Sequence, residues 1–334
     1  MLRIVHLVDD TTAGGVMRVL HHICSCPRMA RLGAHRVVSL SRGRATPLAL
    51  EADILVSHLS ISWRRLPALI QLRATHAHVP MVHVEHSYTE AFMAQNVFRR
   101  ARFLTLLSTA YALFDRVVAV SAAQGHWLRG RGLVSPDDLC VIPSTVDLAP
   151  FLALPLPAGR PRVVGAIGRL EPQKGFDTLI PAFRACADRT LELHIYGDGN
   201  DRKALEALAA GDPRIRFRGW ADPATAMAQV DAVAMPSRWE AYGLVALEAR
   251  AAGRPLLAAR VDGLHDHLAQ GAIAVDGDGP MAWAEALNRL QETRHAIDLT
   301  ARRDAARVEQ ARFASGWGAL IGAITRPAET ARAA

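Results

Sequence analysis

Short runs of apolar, largely β-branched residues recur along the chain at 3–8, 36–40, 54–57, 81–85, 117–121 and 139–142. They return at 162–167, 191–196, 215–217, 232–235, 255–258 and 272–275. Helical patterns separate most of them. Alternation of this kind predicts parallel sheets covered by helices on both faces. Six strands twice over predict an α/β chain of two similar, doubly wound domains.

The join between the halves is visible in the pattern. Residues 149–161 hold four prolines and a glycine, a run that cannot continue a helix and makes a stiff connector. The expected division is a first domain at 1–150, a linker at 151–161, a second domain at 162–312, and a C-terminal helix and tail at 313–334. Trp317, Leu320, Ile321 and Ile324 fall on one face of that helix, which is expected to pack back onto the first domain. The last residues are expected to fray. Open parallel sheets bind ligands beyond the carboxyl ends of their strands, so two such domains would place the site in a cleft between them.

Composition agrees with a globular protein of two domains: 334 residues, 50% hydrophobic and 21% charged. Asp9 and Asp10 close the first apolar run too early for a signal peptide. No apolar run approaches the roughly 18 residues of a membrane span, and the nearest, 103–114, is interrupted by Ser108 and Thr109. Cys24, Cys26, Cys140 and Cys186 lack zinc or redox spacing, as expected of reduced thiols in a cytoplasmic protein. The net charge of +7 is uneven. Residues 1–158 carry sixteen arginines and no lysine against ten acidic residues, whereas the remainder is close to balanced. Such a first half suits an anionic partner, either a phosphorylated acceptor or an anionic membrane surface touched peripherally at the inner face. An arginine-rich genome would produce the same bias. Nucleic acid is not expected, because no binding motif accompanies the charge.

Candidate chemistry centres on Glu240 and Glu248, eight residues apart. The first follows a Pro236-Ser237 turn and the second lies inside an Ala/Leu-rich helical run. The start of that helix, at Tyr242, Gly243 and Leu244, lies between them. Two carboxylates beside a helix N-terminus suit a ligand with hydroxyl groups and a phosphate, such as a nucleotide sugar. In the first half, Gly14 and Gly15 sit at a strand-to-helix turn where backbone N–H groups can approach a phosphate. The second half opens with Gly168-Arg169-Leu170 and then Lys174-Gly175. Arg169 and Lys174 on this loop would neutralise a departing diphosphate; otherwise the loop is merely solvated. Gly197 and Asp198 permit a tight turn beside a ligand. Arg218 and Trp220 suit a nucleobase, although Trp220 reads equally as a core residue. His83 and His86 hint at a metal, but strand alternation and the lack of a third ligand argue against one. His86 is preferred as a polar contact to a sugar, with a structural histidine as the alternative.

Taken in order, these motifs resemble the retaining glycosyltransferases of family 4 over most of the chain. Glu240 and Glu248 match the family's Glu-x7-Glu signature with its aromatic-Gly pair at Tyr242-Gly243. Gly168-Arg169 with Lys174-Gly175 matches its phosphate-binding Arg and Lys, and Gly14-Gly15 its N-terminal glycine loop. His86 matches a histidine near the acceptor and the reacting carbon. Val120-Ser121 and Ile142-Pro143 match two further landmarks. The chain departs from the family where Ser144-Thr145 replaces Asn-Gly after Ile-Pro. It departs again where Asp262-Gly263-Leu264-His265-Asp266 replaces a Gly-Gly-x-x-Glu.

The resemblance implies the GT-B fold, two Rossmann-like domains facing across a cleft. It implies transfer of a sugar, with retention, from a nucleotide diphosphate sugar to a hydroxyl of a glycan, lipid-linked saccharide or other cell-envelope precursor. Arg169, Lys174, Glu240 and His86 would be catalytic, with Glu240 on sugar hydroxyls and Glu248 on the ribose. No metal or other cofactor is expected; Asp276-Gly277-Asp278, which matches the manganese-binding Asp-x-Asp of another glycosyltransferase fold, reads here as a turn. The rivals are a phosphorylase or epimerase of the same architecture, and a nucleotide-sugar-binding subunit without catalysis. A nicotinamide dehydrogenase lacks support, because no Gly-x-Gly-x-x-Gly opens either half.

Overall fold

The structure is a computed structural model describing residues 1–12, 14–40, 50–293 and 298–325, without the side chains of 291–293. The expected tail at 326–334 lies outside the described residues. The chain forms two compact units. The first takes in residues up to Asp147 and those from Gln310 onward, and the second runs from Leu148 to Glu309.

Each unit is built on a six-stranded sheet in which every pairing is parallel. In the first unit the strands are β1 (Arg3–Val8), β2 (Ala34–Ser39), β3 (Ile54–Ser57), β4 (Met81–Glu85), β5 (Arg116–Ala119) and β6 (Leu139–Val141). Their spatial order is β2-β1-β3-β4-β5-β6. The second unit contains β7 (Val163–Ile167), β8 (Glu192–Tyr196), β9 (Ile215–Gly219), β10 (Ala232–Met235), β11 (Leu256–Ala259) and β12 (Ile273–Val275). Their order is β12-β11-β10-β7-β8-β9. β3, β4 and β10 are buried at every position, as central parallel strands covered on both faces must be.

In both sheets the chain leaves its first strand toward one edge and later returns to that strand's other side. The order therefore reverses between β1 and β3, and again between β7 and β10. Loops leaving adjacent strands at such a point diverge, opening a crevice at the carboxyl end.

Two sequence expectations are adjusted. β9 runs past Phe217 to Gly219, where a register shift against β8 lets Gly197 N–H bond the Gly219 carbonyl at 2.8 Å. The Pro-rich run 149–161, expected as a linker from 151, falls inside the second unit. It begins with a helical turn, Ala149–Leu152, whose Phe151 is buried. Arg254 then donates to the Pro155 carbonyl at 2.7 Å, and Arg303 to the carbonyls of Leu152 and Leu154. Carbonyls in a proline-rich run remain good acceptors, so arginines can fix a segment that has few N–H donors of its own.

The helix Glu309–Thr325 joins the first unit from Gln310 onward. Its Trp317 is 2% exposed and meets the His6 ring edge-on at 6.2 Å, while Gln310 donates to the Val146 carbonyl at 2.9 Å. Among the described residues no helix is long and apolar enough to cross a membrane. Replacing Trp317 by Ala is expected to cost about 3–5 kcal/mol. Urea unfolding checks this, and a loss below about 1 kcal/mol would show that the helix is not part of the first unit's core.

Candidate active site

In the second unit, the loops after β7 and β10 flank the strand-order reversal and bring Gly168, Lys174, Glu240 and Gly243 together. Lys174 ends a short helical turn, Pro172–Lys174, and Glu240 lies on the loop after β10. The Lys174 ammonium meets Glu240 Oε2 at 2.5 Å, with both side chains mostly buried. Ser237 Oγ donates to the same oxygen at 3.4 Å. Two hydrogen bonds to main-chain carbonyls tie the loops together: Arg238 N–H to the Gln173 carbonyl at 2.8 Å, and the Gln173 side-chain Nε2 to the Trp239 carbonyl at 3.0 Å. Arg238 adds a fork to Asp177 at 2.9 and 2.7 Å and a bond to the Pro172 carbonyl at 2.6 Å. Gly175, at φ 67°, lies so close to the Pro236 carbonyl that a side chain there would collide with it.

Arg169 is exposed and donates to the Gln173 side chain at 3.3 Å. Its neighbour Gly168 packs against Gly197, and Leu170 N–H bonds the Asp198 carbonyl at 2.9 Å, so the loops after β7 and β8 lie side by side. Arg218 is exposed and approaches His194 at 3.4 Å. Trp220 is 72% exposed, which excludes the core reading and leaves its ring open to a ligand.

The helix Leu244–Ala251 starts beyond Gly243, which adopts φ 92°. Tyr242 is buried, and burial pushes its hydroxyl pKa well up. His267 donates to the Tyr242 carbonyl at 3.0 Å and packs on its ring; burial pushes the imidazole down to about 3. Glu248 is fully buried within the helix.

One departure from the family pattern acquires a role here. Asp262, at φ 38° where the family has glycine, accepts the Glu240 N–H at 3.2 Å, and Gly263 N–H donates to the Glu240 carbonyl at 2.9 Å. Asp tolerates the left-handed region better than most residues and adds an acceptor that glycine lacks.

The first unit gathers a second group. Gly14 and Gly15 open the helix Gly15–Ser25 after β1. His86 follows β4, half-buried. Its loop is held by Glu85, which is 3% exposed and accepts from Ser87 N–H at 2.7 Å, Tyr88 N–H at 2.9 Å and the Tyr111 hydroxyl at 2.7 Å. Burial opposes ionisation of Glu85, but His83 and the two N–H groups outweigh it and hold its carboxyl below the usual range. Burial lowers the His86 imidazole to about 4, despite the opposing charge of Glu85.

Sequence reading missed Arg238 and His267, and also His6, His35 and His58, which form a line with His86. Their only signal was a polar residue inside an apolar strand or beside a quoted motif. Asp276, directly after β12, pairs with Arg260 at 2.6 Å.

A paired α/β architecture with polar loops at the strand-order reversals defines a class, the two-domain glycosyltransferase fold. A crystal structure of Anabaena Alr3699/HepE in complex with UDP superposes with a TM-score of 0.72 at 21% identity, covering 97% of this chain and 99% of that one. Residues 7–150 match the family described as Glycosyltransferase Family 4, and residues 161–293 match Glycosyl transferases group 1. The chain belongs to the family 4 glycosyltransferases. Its relatives include D-inositol 3-phosphate glycosyltransferases. That of Geodermatophilus obscurus is 30% identical over 289 residues, 77% of this chain and 63% of the relative. That of Corynebacterium urealyticum is 39% identical over 156 residues, 42% of this chain and 36% of the relative. The matches thus span from about a third to under two thirds of these relatives' lengths.

The buried imidazoles carry a pH signature. Burial lowers His6 to about 3 and His58 well below its ordinary value, alongside His86 and His267. Each binds a proton more readily unfolded, near 6.5, than folded, so their stabilisation is complete above about pH 6.5 and lost as pH falls toward the folded values. Melting temperature is expected to be level above pH 7 and to drop steeply between pH 6.5 and 4. A melting temperature unchanged down to pH 4 would contradict neutral burial.

Proposed function

We propose that the chain transfers a sugar from a nucleoside diphosphate sugar to an acceptor hydroxyl, with retention at the anomeric carbon. The observation that carries this reading is the Lys174–Glu240 contact at the reversal between β7 and β10, beside the helix start at Gly243. A cation, a carboxylate and free backbone N–H groups in one place fit a diphosphate linked to a sugar.

As the bond to the sugar stretches, negative charge builds on the leaving diphosphate. Lys174, Arg169 and the N–H groups at the helix start stabilise it, a charge set sufficient without a metal. Glu240 holds donor sugar hydroxyls and, through its ion pair, aims the Lys174 ammonium. The acceptor hydroxyl attacks from the leaving-group face and passes its proton to a phosphate oxygen. Exposed Trp220 and Arg218 receive the base, with Gly197 and Asp198 beside them. Gly14 and Gly15 offer N–H groups to a phosphate, and His86 contacts a sugar hydroxyl. A phosphorylated acceptor is favoured by the arginine-rich first half and by the inositol-phosphate relatives.

The test is a panel of nucleotide sugars and phosphorylated polyols incubated in excess chelator, with the product anomer read by NMR. Wild type is expected to form product with the donor's configuration, and Lys174→Ala at least tenfold more slowly, about 1.4 kcal/mol of lost transition-state stabilisation. Inverted product, or equal turnover of the variant at saturating donor, would sink the mechanism. Activity lost in chelator and restored by a divalent cation would refute the metal-free reading.

Glu248 is assigned to the ribose. Glu248→Gln keeps the size of this fully buried side chain and removes its charge, so it separates binding from folding: nucleotide affinity by calorimetry is expected to fall at least tenfold at near-constant melting temperature. A drop in melting temperature with unchanged affinity would make the residue structural.

A further inference from the structure

Four histidines form one hydrogen-bonded line across the first sheet. His35 lies in β2, His6 in β1, His58 directly after β3 and His86 directly after β4, which is the spatial order of those strands. His35 Nε2 is 3.2 Å from the Met29 carbonyl, and His35 Nδ1 is 3.0 Å from His6 Nε2. His6 Nδ1 is 3.0 Å from His58 Nε2, and His58 Nδ1 is 2.8 Å from His86 Nε2. Ring centroids are 5.3, 5.2 and 5.1 Å apart, with the planes 33°, 29° and 22° from parallel. These are hydrogen-bond separations, and four rings in line cannot converge their lone pairs on one ion.

The line has a direction. A carbonyl only accepts, so His35 Nε2 must carry a proton. In a neutral imidazole the other nitrogen is then an acceptor, so His35 Nδ1 accepts and His6 Nε2 must donate. The same step repeats from His6 to His58 and from His58 to His86. His86 ends with its proton on Nε2 and a lone pair on Nδ1. Neutrality is the one condition, and burial supplies it, since it lowers the pKa of all four rings. Near the His86 end, Glu85 favours the charged form and His83 opposes it.

We infer that the Met29 carbonyl fixes the tautomer of His86 through His35, His6 and His58, so that His86 meets a substrate hydroxyl with Nδ1 as hydrogen-bond acceptor. The three inner histidines are positioning residues. The hydroxyl partner rests on the function proposed above, whereas the tautomer is a property of the protein alone.

Ring protonation is therefore read on the full chain without substrate, by long-range 1H–15N NMR at pH 7.5 after 15N-histidine labelling. All four histidines are expected to show a protonated Nε2 and an unprotonated Nδ1. A protonated Nδ1 on any of them would overturn the inference, whether or not glycosyl transfer is detected. His35→Phe removes the anchor on Met29, and mixed tautomers are expected at His6, His58 and His86. His35→Gln, whose amide can donate to the carbonyl and accept from His6, is expected to restore the single form. Unchanged tautomers in His35→Phe would equally refute the relay. If transfer is observed, His35→Phe should lower kcat severalfold and His35→Gln should recover it.

Discussion

Reversal of strand order beside the first strand of each sheet is the constraint on which the rest depends. A parallel strand needs its neighbours delivered by crossovers, and a chain that fills one side before the other must part its loops somewhere. In the second unit the parting lies between β7 and β10, and Lys174 and Glu240 face each other there. In the first it lies between β1 and β3, and the His6–His58 contact spans it. One unit uses the position for charge and the other for a neutral polar line.

The two solutions carry different energetic demands. Lys174 and Glu240 keep some solvent access, so their desolvation is partial. His6 has none, and a neutral imidazole with both nitrogens bonded is a form in which histidine can be fully buried within a sheet. Glu85 shows the remaining option: a carboxylate kept ionised under burial because His83 and two backbone N–H groups favour its charged form.

The central strands β3, β4 and β10 were legible in the sequence because strands buried on both faces read as short continuous apolar runs, and the half-buried edge strands β2 and β9 were legible from shorter apolar stretches. Arg169, Lys174, Glu240 and His86 were legible because each stands just past such a run. The histidine line was not. His6 and His35 are 29 residues apart, His6 and His58 are 52, and His58 and His86 are 28. No local period links them; only the strand order does. Trp220 could not be placed because an aromatic at a strand end suits core or surface alike, and its 72% exposure decides the matter. The proline run signalled a boundary through its lack of N–H donors, but the arginines that fix its carbonyls lie about 100 and 150 residues away.

Three of the six bonds described between the segments after β7 and β10 are received by main-chain oxygens, those of Pro172, Gln173 and Trp239. Substitution can remove a side chain but not a carbonyl. The frame of this joint is thus written partly in backbone, and the acceptors at Pro172, Gln173 and Trp239 persist whatever side chains those positions carry. Change at those three positions therefore spares the acceptors, whereas change at Arg238 or Gln173 removes the side-chain donors that reach Pro172 and Trp239.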